Sequence, residues 1–263
     1  MTERRSPTTA TASRAIAPNA IAVASGKGGV GKTWLSITLA HALAKNGRRV
    51  LLFDGDLGLA NVDIQLGLTP AVDLGAVLEQ NLPVERAVTR HETGGFDVIA
   101  GRSGSASLVS LTGGRLKTLA DDLFALAARY DHLILDLGAG VERTVRHLAS
   151  RCGLCLVVTT DEPTALTDAY AFIKLSASQD GPTNVRLVVN LANSATEGER
   201  TYGTLLKACQ SFLKIAPPLA GIVRRDSRVK DSIRAQTPIL TRYPGAAAAD
   251  DVAAIARRLL EAP

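Results

Sequence analysis

Residues 20–33 read Ala20-Ile21-Ala22-Val23-Ala24-Ser25-Gly26-Lys27-Gly28-Gly29-Val30-Gly31-Lys32-Thr33. The last eight fit G-x-x-x-x-G-K-[ST], the phosphate-loop pattern, without a mismatch. Gly26, Gly28, Gly29 and Gly31, with Val30 among them, let backbone N–H groups turn inward around a polyphosphate. Lys32 supplies a point charge to the terminal phosphates, and the hydroxyl of Thr33 suits Mg²⁺. The apolar run before the loop suits a buried parallel strand. After the loop Leu35, Leu39, Ala42 and Leu43 recur at helical spacing up to Asn46-Gly47, a helix end. Strand, glycine loop and helix together aim a helix N-terminus at the phosphates. Lys27 is a second lysine, directly after the first glycine, where phosphate chemistry within one subunit does not need it.

Working outward, apolar runs alternate with helical patterns almost to the end of the chain. Strands are predicted at 20–25, 49–54, 96–100, 132–136, 154–160, 185–191 and 218–223. Helices are predicted at 33–46, 73–80, 112–129, 141–150, 165–178, 198–213, 227–235 and 246–261. This alternation predicts an α/β fold: a single doubly wound, mostly parallel sheet with helices on both faces. No internal repeat or interior linker divides it, so one domain spans 19–263. Residues 1–18, rich in Ser, Thr, Arg and Ala, read as a disordered tail. Gly101 to Gly114 reads as a long loop or loosely formed segment.

The 263 residues are 46% hydrophobic and only 4% aromatic, so Val, Leu, Ile and Ala must fill the core. The net charge of +5 permits a nucleic-acid or acidic-lipid partner without demanding one. No stretch approaches the roughly 20 apolar residues of a membrane span. The N-terminus has no apolar h-region of a secretory signal. Three cysteines in a chain of this length argue for a reducing compartment. Cys152 and Cys155 form a C-x-x-C in a predicted strand, where an odd separation points the sulfurs to opposite faces. Cys209 is remote, with no His near it to complete a zinc site. His41, His91, His132 and His147 are scattered and read as surface or helix positions.

In a doubly wound sheet, ligands collect at the carboxyl ends of the strands. The second strand is followed by Asp54-Gly55-Asp56 and continues to Asp63. Two carboxylates at such a place suit a metal–phosphate site, one holding the Mg²⁺ shell and one orienting the attacking water. The fourth strand ends Leu133-Ile134-Leu135-Asp136-Leu137-Gly138, the Walker B layout, with Asp136 reaching Mg²⁺ through Thr33 or water. Gly138 can approach a γ-phosphate by its backbone N–H and sense its loss. The sixth strand ends at Asn190, whose amide can pair with the edge of an adenine or simply form a turn.

Lys27 within KGGVGKT is the deviant Walker A signature, and on it the chain resembles the MinD/ParA group of ATPases, of the SIMIBI class of P-loop NTPases. DGDLGLANVD (54–63) and TTDEPTALTDAYAFIK (159–174) look like the FlhG branch, also called FleN or YlxH, which controls flagellar number and placement. The resemblance covers residues 19–260. It implies ATP and Mg²⁺ as cofactors, and slow hydrolysis of ATP to ADP and phosphate. Lys27 would cross to the nucleotide of a partner subunit in an ATP-bound homodimer. Lys32 and Thr33 would serve phosphate and Mg²⁺ within the subunit. Asp56 would align the hydrolytic water in switch I, Asp54 would neighbour the metal, Asp136 and Gly138 would fall in switch II, and Asn190 would contact adenine.

The resemblance also implies protein partners, a FlhF-like GTPase or flagellar regulators and C-ring components, and a cytoplasmic location. Peripheral attachment to the inner membrane face is weakly supported. The last helix carries a narrow stripe of Val252, Ile255, Leu259 and Leu260, which suits docking on its own domain better than insertion in lipid. The chain departs from the group in places. Trp34 stands where many group members carry a small or polar residue, and it reads as packing. Leu137-Gly138 replaces the Ser/Thr-Pro of MinD. Arg224 stands near the base where relatives often have proline, and the glutamine-containing activation helix is not evident in 1–18. Two alternatives stand beside the switch reading. One is a MinD-like division-site regulator or a ParA-like DNA-partitioning ATPase; the ParA-like reading would use the cluster Arg224, Arg225, Arg228, Lys230, Arg234 and Arg242, against a solvated helix face. A scaffold that binds nucleotide only structurally would not need Asp56 and Asp136.

Overall fold

The strand before the phosphate loop is β1 (Ala17–Ser25), and it lies in the middle of the molecule. Its side chains alternate: Ala20, Ala22 and Ala24 enter one core, Ile21 and Val23 the other. A strand buried on both faces must sit inside a sheet with helices on each side. The computed structural model describes residues 16–56, 58–101, 113–177 and 184–261. The expectation for 1–15 and for most of the stretch 101–114 therefore lies outside the described residues.

Seven further strands flank β1 among the described residues: β2 (Val50–Gly55), β3 (Val88–His91), β4 (Phe96–Ile99), β5 (His132–Ala139), β6 (Cys152–Thr159), β7 (Val185–Ala192) and β8 (Leu219–Arg224). Their order in the sheet is β3-β4-β2-β5-β1-β6-β7-β8. All neighbours are parallel except β3 and β4. The chain first winds out from β1 through β2 and later returns past it to β6. β1 is thus the switch point of the sheet, where the strand ends open a crevice for a ligand.

The helices follow as α1 (Lys32–Lys45), α2 (Val62–Leu66), α3 (Leu74–Gln80), α4 (Gly113–Ala127), α5 (Arg143–Ala149), α6 (Pro163–Ser176), α7 (Ala195–Ala208), α8 (Ser227–Arg234), α9 (Ile239–Arg242) and α10 (Ala247–Glu261). Residues of α3, α4, α5, α6 and α7 join the core with Ala20, Ala22 and Ala24. Residues of α1, α2, α9 and α10 join the opposite core. α1 is buried on every side, from Trp34 through Leu43, because α10 covers the flank that the sheet does not. Thr38 tolerates this because its hydroxyl donates to the carbonyl four residues earlier, and Ser36 because its hydroxyl has the Lys32 carbonyl and the Asp136 carboxylate as acceptors. Trp34 is a packing residue, 6% exposed, and Val252 and Ile255 of α10 are buried against the same layer. No helix of the described residues is long and apolar enough to cross a membrane.

The structure corrects the sequence reading in several places. β1 starts at Ala17, whose N–H donates to the Arg151 carbonyl, so residues 17 and 18 join the sheet rather than the tail. The edge strand β3 was not predicted; it is four residues long, lies antiparallel to β4 and shows no apolar run. α2 and α9 are also too short to carry a helical period. α6 begins two residues earlier than predicted because Pro163 takes its first position, where a missing N–H is harmless. α7 begins three residues earlier, capped by Ser194 accepting from the Glu197 N–H, and ends in a π-helical turn, Cys209–Leu213. Cys152 and Cys155 do not point to opposite faces: both are buried free thiols in the same core. The pairing of β1 with β6 shifts register at this end, and Cys152 lies in that irregular start, so strict alternation does not reach it. His91 is buried on β3 against Phe96, neither at the surface nor on a helix.

Candidate functional site

The loop between β1 and α1 takes the shape the glycines permit. Gly29 has φ +79° and Gly31 φ +89°, a region that other residues rarely adopt. Gly28 and Gly29 are exposed and Gly31 is half-buried, so the loop's backbone remains open to a ligand at the N-terminus of α1. Asn190, at the end of β7, props the loop from beneath. Its side-chain amide donates to the Val30 carbonyl at 2.8 Å. A Cβ at Gly31 would stand 2.4 Å from the same nitrogen. Asn190 is 2% exposed, so in this structure it serves the loop.

Two carboxylates lie side by side beneath the loop. Asp54 on β2 and Asp136 on β5 are register partners in adjacent parallel strands, 1% and 2% exposed. Burial, followed by the charge of its neighbour Asp136, pushes Asp54 up to about 7. Burial raises Asp136 to about 6, against the hydroxyls of Thr33 and Ser36 and the charge of Lys32, which favour its anion. Ser36 donates to Asp136 at 2.9 Å. Asp54 accepts three backbone N–H groups, from Asp56, Asn61 and Val62, at 3.2, 2.9 and 3.0 Å. Its carboxylate therefore ties down the segment that follows β2.

Asp56 caps the turn of that segment, accepting from the Gly58 and Leu59 N–H groups. Its carboxylate faces Gly138, where an added Cβ would lie 3.4 Å away. Gly138 belongs to β5, which runs three residues beyond its predicted end to Ala139. Lys32 lies close enough to feel the charges of Asp136 and Asp56, but burial dominates and lowers its pKa. So Lys32, Thr33, Asp54, Asp56, Asp136 and Gly138 converge on one place at the strand ends. Hydroxyl and carboxylate oxygens beside a lysine are hard donors that fit Mg²⁺ and phosphate. Two buried carboxylates with raised pKa values are a site short of positive charge.

Lys27 does not join this convergence. Its ammonium donates outward to Glu162 Oε2 at 2.5 Å and to Thr164 Oγ1 at 2.7 Å, at the start of α6. The loop is pressed against the same helix at Gly26, where a Cβ would lie 2.1 Å from the Asp168 carbonyl oxygen. Sequence reading missed Glu162, Thr164 and Ser36. Ser36 had a signal: it stands one turn after Thr33 on the same helix face. Arg224 is paired with Asp251 of α10 through its guanidinium at 2.8 Å. Of the other arginines at that end, Arg228 and Arg242 lie against the Tyr243 ring.

Comparison with known proteins agrees with this geometry. Residues 21–239 match the family described as CobQ/CobB/MinD/ParA nucleotide binding domain. The chain is similar to the antiactivator FleN of Pseudomonas aeruginosa, 38% identical over 91% of this chain and 85% of that protein. It is similar to the flagellum site-determining protein YlxH of Helicobacter pylori, 31% identical over 81% and 72%. Its fold matches the septum site-determining protein MinD of Pyrococcus horikoshii, solved in complex with Mg-ADP, with a TM-score of 0.76 and 22% identity over 92% of this chain and 95% of that one.

Proposed function

This chain belongs to the CobQ/CobB/MinD/ParA nucleotide-binding family, and from that premise we propose that it is a Mg²⁺-dependent ATPase switch that dimerises on ATP. The observation that carries the proposal is the division of the two loop lysines. Lys32 is buried near Asp136 and Asp56, whereas Lys27 is held outside that group. In this reading the loop N–H groups and Lys32 hold the phosphates, and Thr33 and Asp136 hold Mg²⁺, with Asp54 behind them. Bound there, Mg²⁺ supplies charge neutralisation at the phosphate oxygens.

Asp56 orients a water for attack on the γ-phosphorus. The P–O bond to ADP breaks, and the products are ADP and phosphate. Gly138 faces Asp56, so loss of the γ-phosphate loosens both strand ends together. Lys27 leaves its own subunit and reaches the nucleotide of a second copy. The same reading assigns Asn190 to the edge of the adenine, toward which its amide would turn from the Val30 carbonyl that it holds in this structure. The similarity to FleN and YlxH supports a role as regulator of flagellar number or placement, acting through protein partners such as a FlhF-like GTPase.

The test combines phosphate release with light scattering of the eluting protein. Asp56→Ala is expected to bind ATP, release no phosphate and accumulate as dimer. Lys27→Ala is expected to bind ATP, remain monomeric and hydrolyse little. Hydrolysis by Asp56→Ala at the wild-type rate overturns the assignment.

A further inference from the structure

Trp34 is the single tryptophan of the chain, and it packs at the start of α1 directly after Thr33. Its ring is buried among apolar neighbours, but its indole N–H is also buried and has no acceptor among the described residues. An acceptor in the same condition stands close by. The amide oxygen of Gln65, on α2, is buried and has no donor among the described residues. Trp34 and Gln65 line one crevice of about 10 Å³, together with Ile37 and Thr38 of α1 and with Ile233 and Ile239. That volume is at the lower limit for a single water, so the two groups have little else there to bond. Buried polar groups are paired almost everywhere in folded proteins. A lone donor facing the same crevice as a lone acceptor describes a contact that a small shift of α2 completes.

α2 is placed to make that shift. It has five residues, and its cap residue Asn61 gives the helix no side-chain hydrogen bond. Asp54 holds this end instead, accepting from the Asn61 and Val62 N–H groups at 2.9 and 3.0 Å. At the other end Gln236, in the turn between α8 and α9, donates to the Ile64 carbonyl at 2.8 Å. Gln236 has φ +49° and packs against Gly67, where an added Cβ would lie 3.2 Å from the Gln236 Cβ. So α2 hangs between a carboxylate of the site and a turn remote from it. Any change in the charge around Asp54 acts on the near end, and the far end is the pivot. Asp56 begins the short segment that leads into α2, so a fixed α2 also fixes the Asp56 carboxylate.

We propose that the Trp34 indole N–H and the Gln65 amide oxygen form a hydrogen bond when the segment after β2 closes on ATP, which makes Gln65 a positioning residue for Asp56. This rests on the reading that Asp56 orients the hydrolytic water. The bond ties the helix that starts at Lys32 and Thr33 to the segment that carries Asp56, so both sides of the γ-phosphate close as one.

The test reads Trp34 directly, because no other tryptophan contributes to the emission of the full chain. With Mg²⁺ and a non-hydrolysable ATP analogue, wild-type emission is expected to move to longer wavelength as the indole N–H gains an acceptor. Gln65→Met keeps the length of the side chain without the acceptor and should abolish the shift. Gln65→Glu restores an acceptor and should recover part of it. In steady-state hydrolysis Gln65→Met is expected to lower kcat roughly two- to ten-fold with KM little changed, the loss of one net hydrogen bond. Trp34→Phe should lower kcat by a similar factor, and the double variant by no more than either alone, since both remove the same bond. No shift in wild type, a wild-type shift in Gln65→Met, or losses that multiply in the double variant overturn the bond and leave the switch reading intact. If Asp56→Ala hydrolyses ATP at the wild-type rate, the switch reading falls, and with it the role given to Gln65.

Discussion

The inner wall of the phosphate loop and its outer rim use the same residue type in opposite settings. On the inner wall Lys32 is 9% exposed, with Asp136 and Asp56 within electrostatic reach. On the outer rim Lys27 is half-exposed, bound to a carboxylate that is itself largely in water. The inner lysine has lost its hydration and is held by strand ends and helix α1. The outer one keeps part of its hydration and is held by a contact that salt can weaken. In the proposed switch, the lysine that grips the ligand is built into the interior, and the lysine that changes partners is left at the surface, where the exchange is cheap.

The largest expected effect would break the inner side. Lys32→Ala should weaken ATP binding on the order of 100-fold, the worth of charge-assisted hydrogen bonds to phosphate, read by calorimetric titration. A comparable loss in Lys27→Ala would erase the contrast between the two lysines.

Next comes the pair Asp54 and Asp136. Their folded pKa values, about 7 and about 6, lie above the ordinary carboxylate value of 3.8. The folded chain therefore binds protons more tightly than the unfolded chain between those limits, and stability falls as pH rises through about 4 to 7. Without nucleotide and Mg²⁺ the protein should melt at a higher temperature at pH 5.5 than at pH 8. Asp54→Asn should narrow the difference. Mg²⁺ competes with the same protons, so binding of Mg-ATP should tighten across the same window as pH rises. A melting temperature independent of pH would remove the charge shortage argued for the inner wall.

The smallest effect separates two glycines of the loop. Gly29→Ala meets open space and carries only the backbone strain of φ +79°, about 1 kcal/mol. Gly31→Ala adds a collision with Asn190, and urea unfolding should place it about 1 kcal/mol below Gly29→Ala. Equal stabilities would mean that Asn190 yields freely and is no prop.

Much of the site was legible in the chain because each inner residue is tied to a strand end. An apolar run that terminates in Asp or Asn locates both its residue and its neighbours, since strand ends in a parallel sheet share one edge. Asp54 and Asp136 follow that rule and meet as register partners. Asn190 follows it too, but its contact with Val30 could not be read, since two uses of one amide are equal in sequence. The ion pair of Arg224 could not be read either, because its partner, Asp251, is distant in the chain and comes from α10. The faces of Cys152 and Cys155 failed at an irregular strand start, where the period of two does not hold.

By itself the sequence determined the phosphate loop, the alternation that makes a parallel sheet and the carboxylates at its edge. Each of these follows from local chemistry: glycine's freedom, the period of a buried strand, the charge at its end. Only the tertiary structure decided where Lys27 points. That depends on how closely Gly26 lies against Asp168, which is settled by packing between segments far apart in the chain.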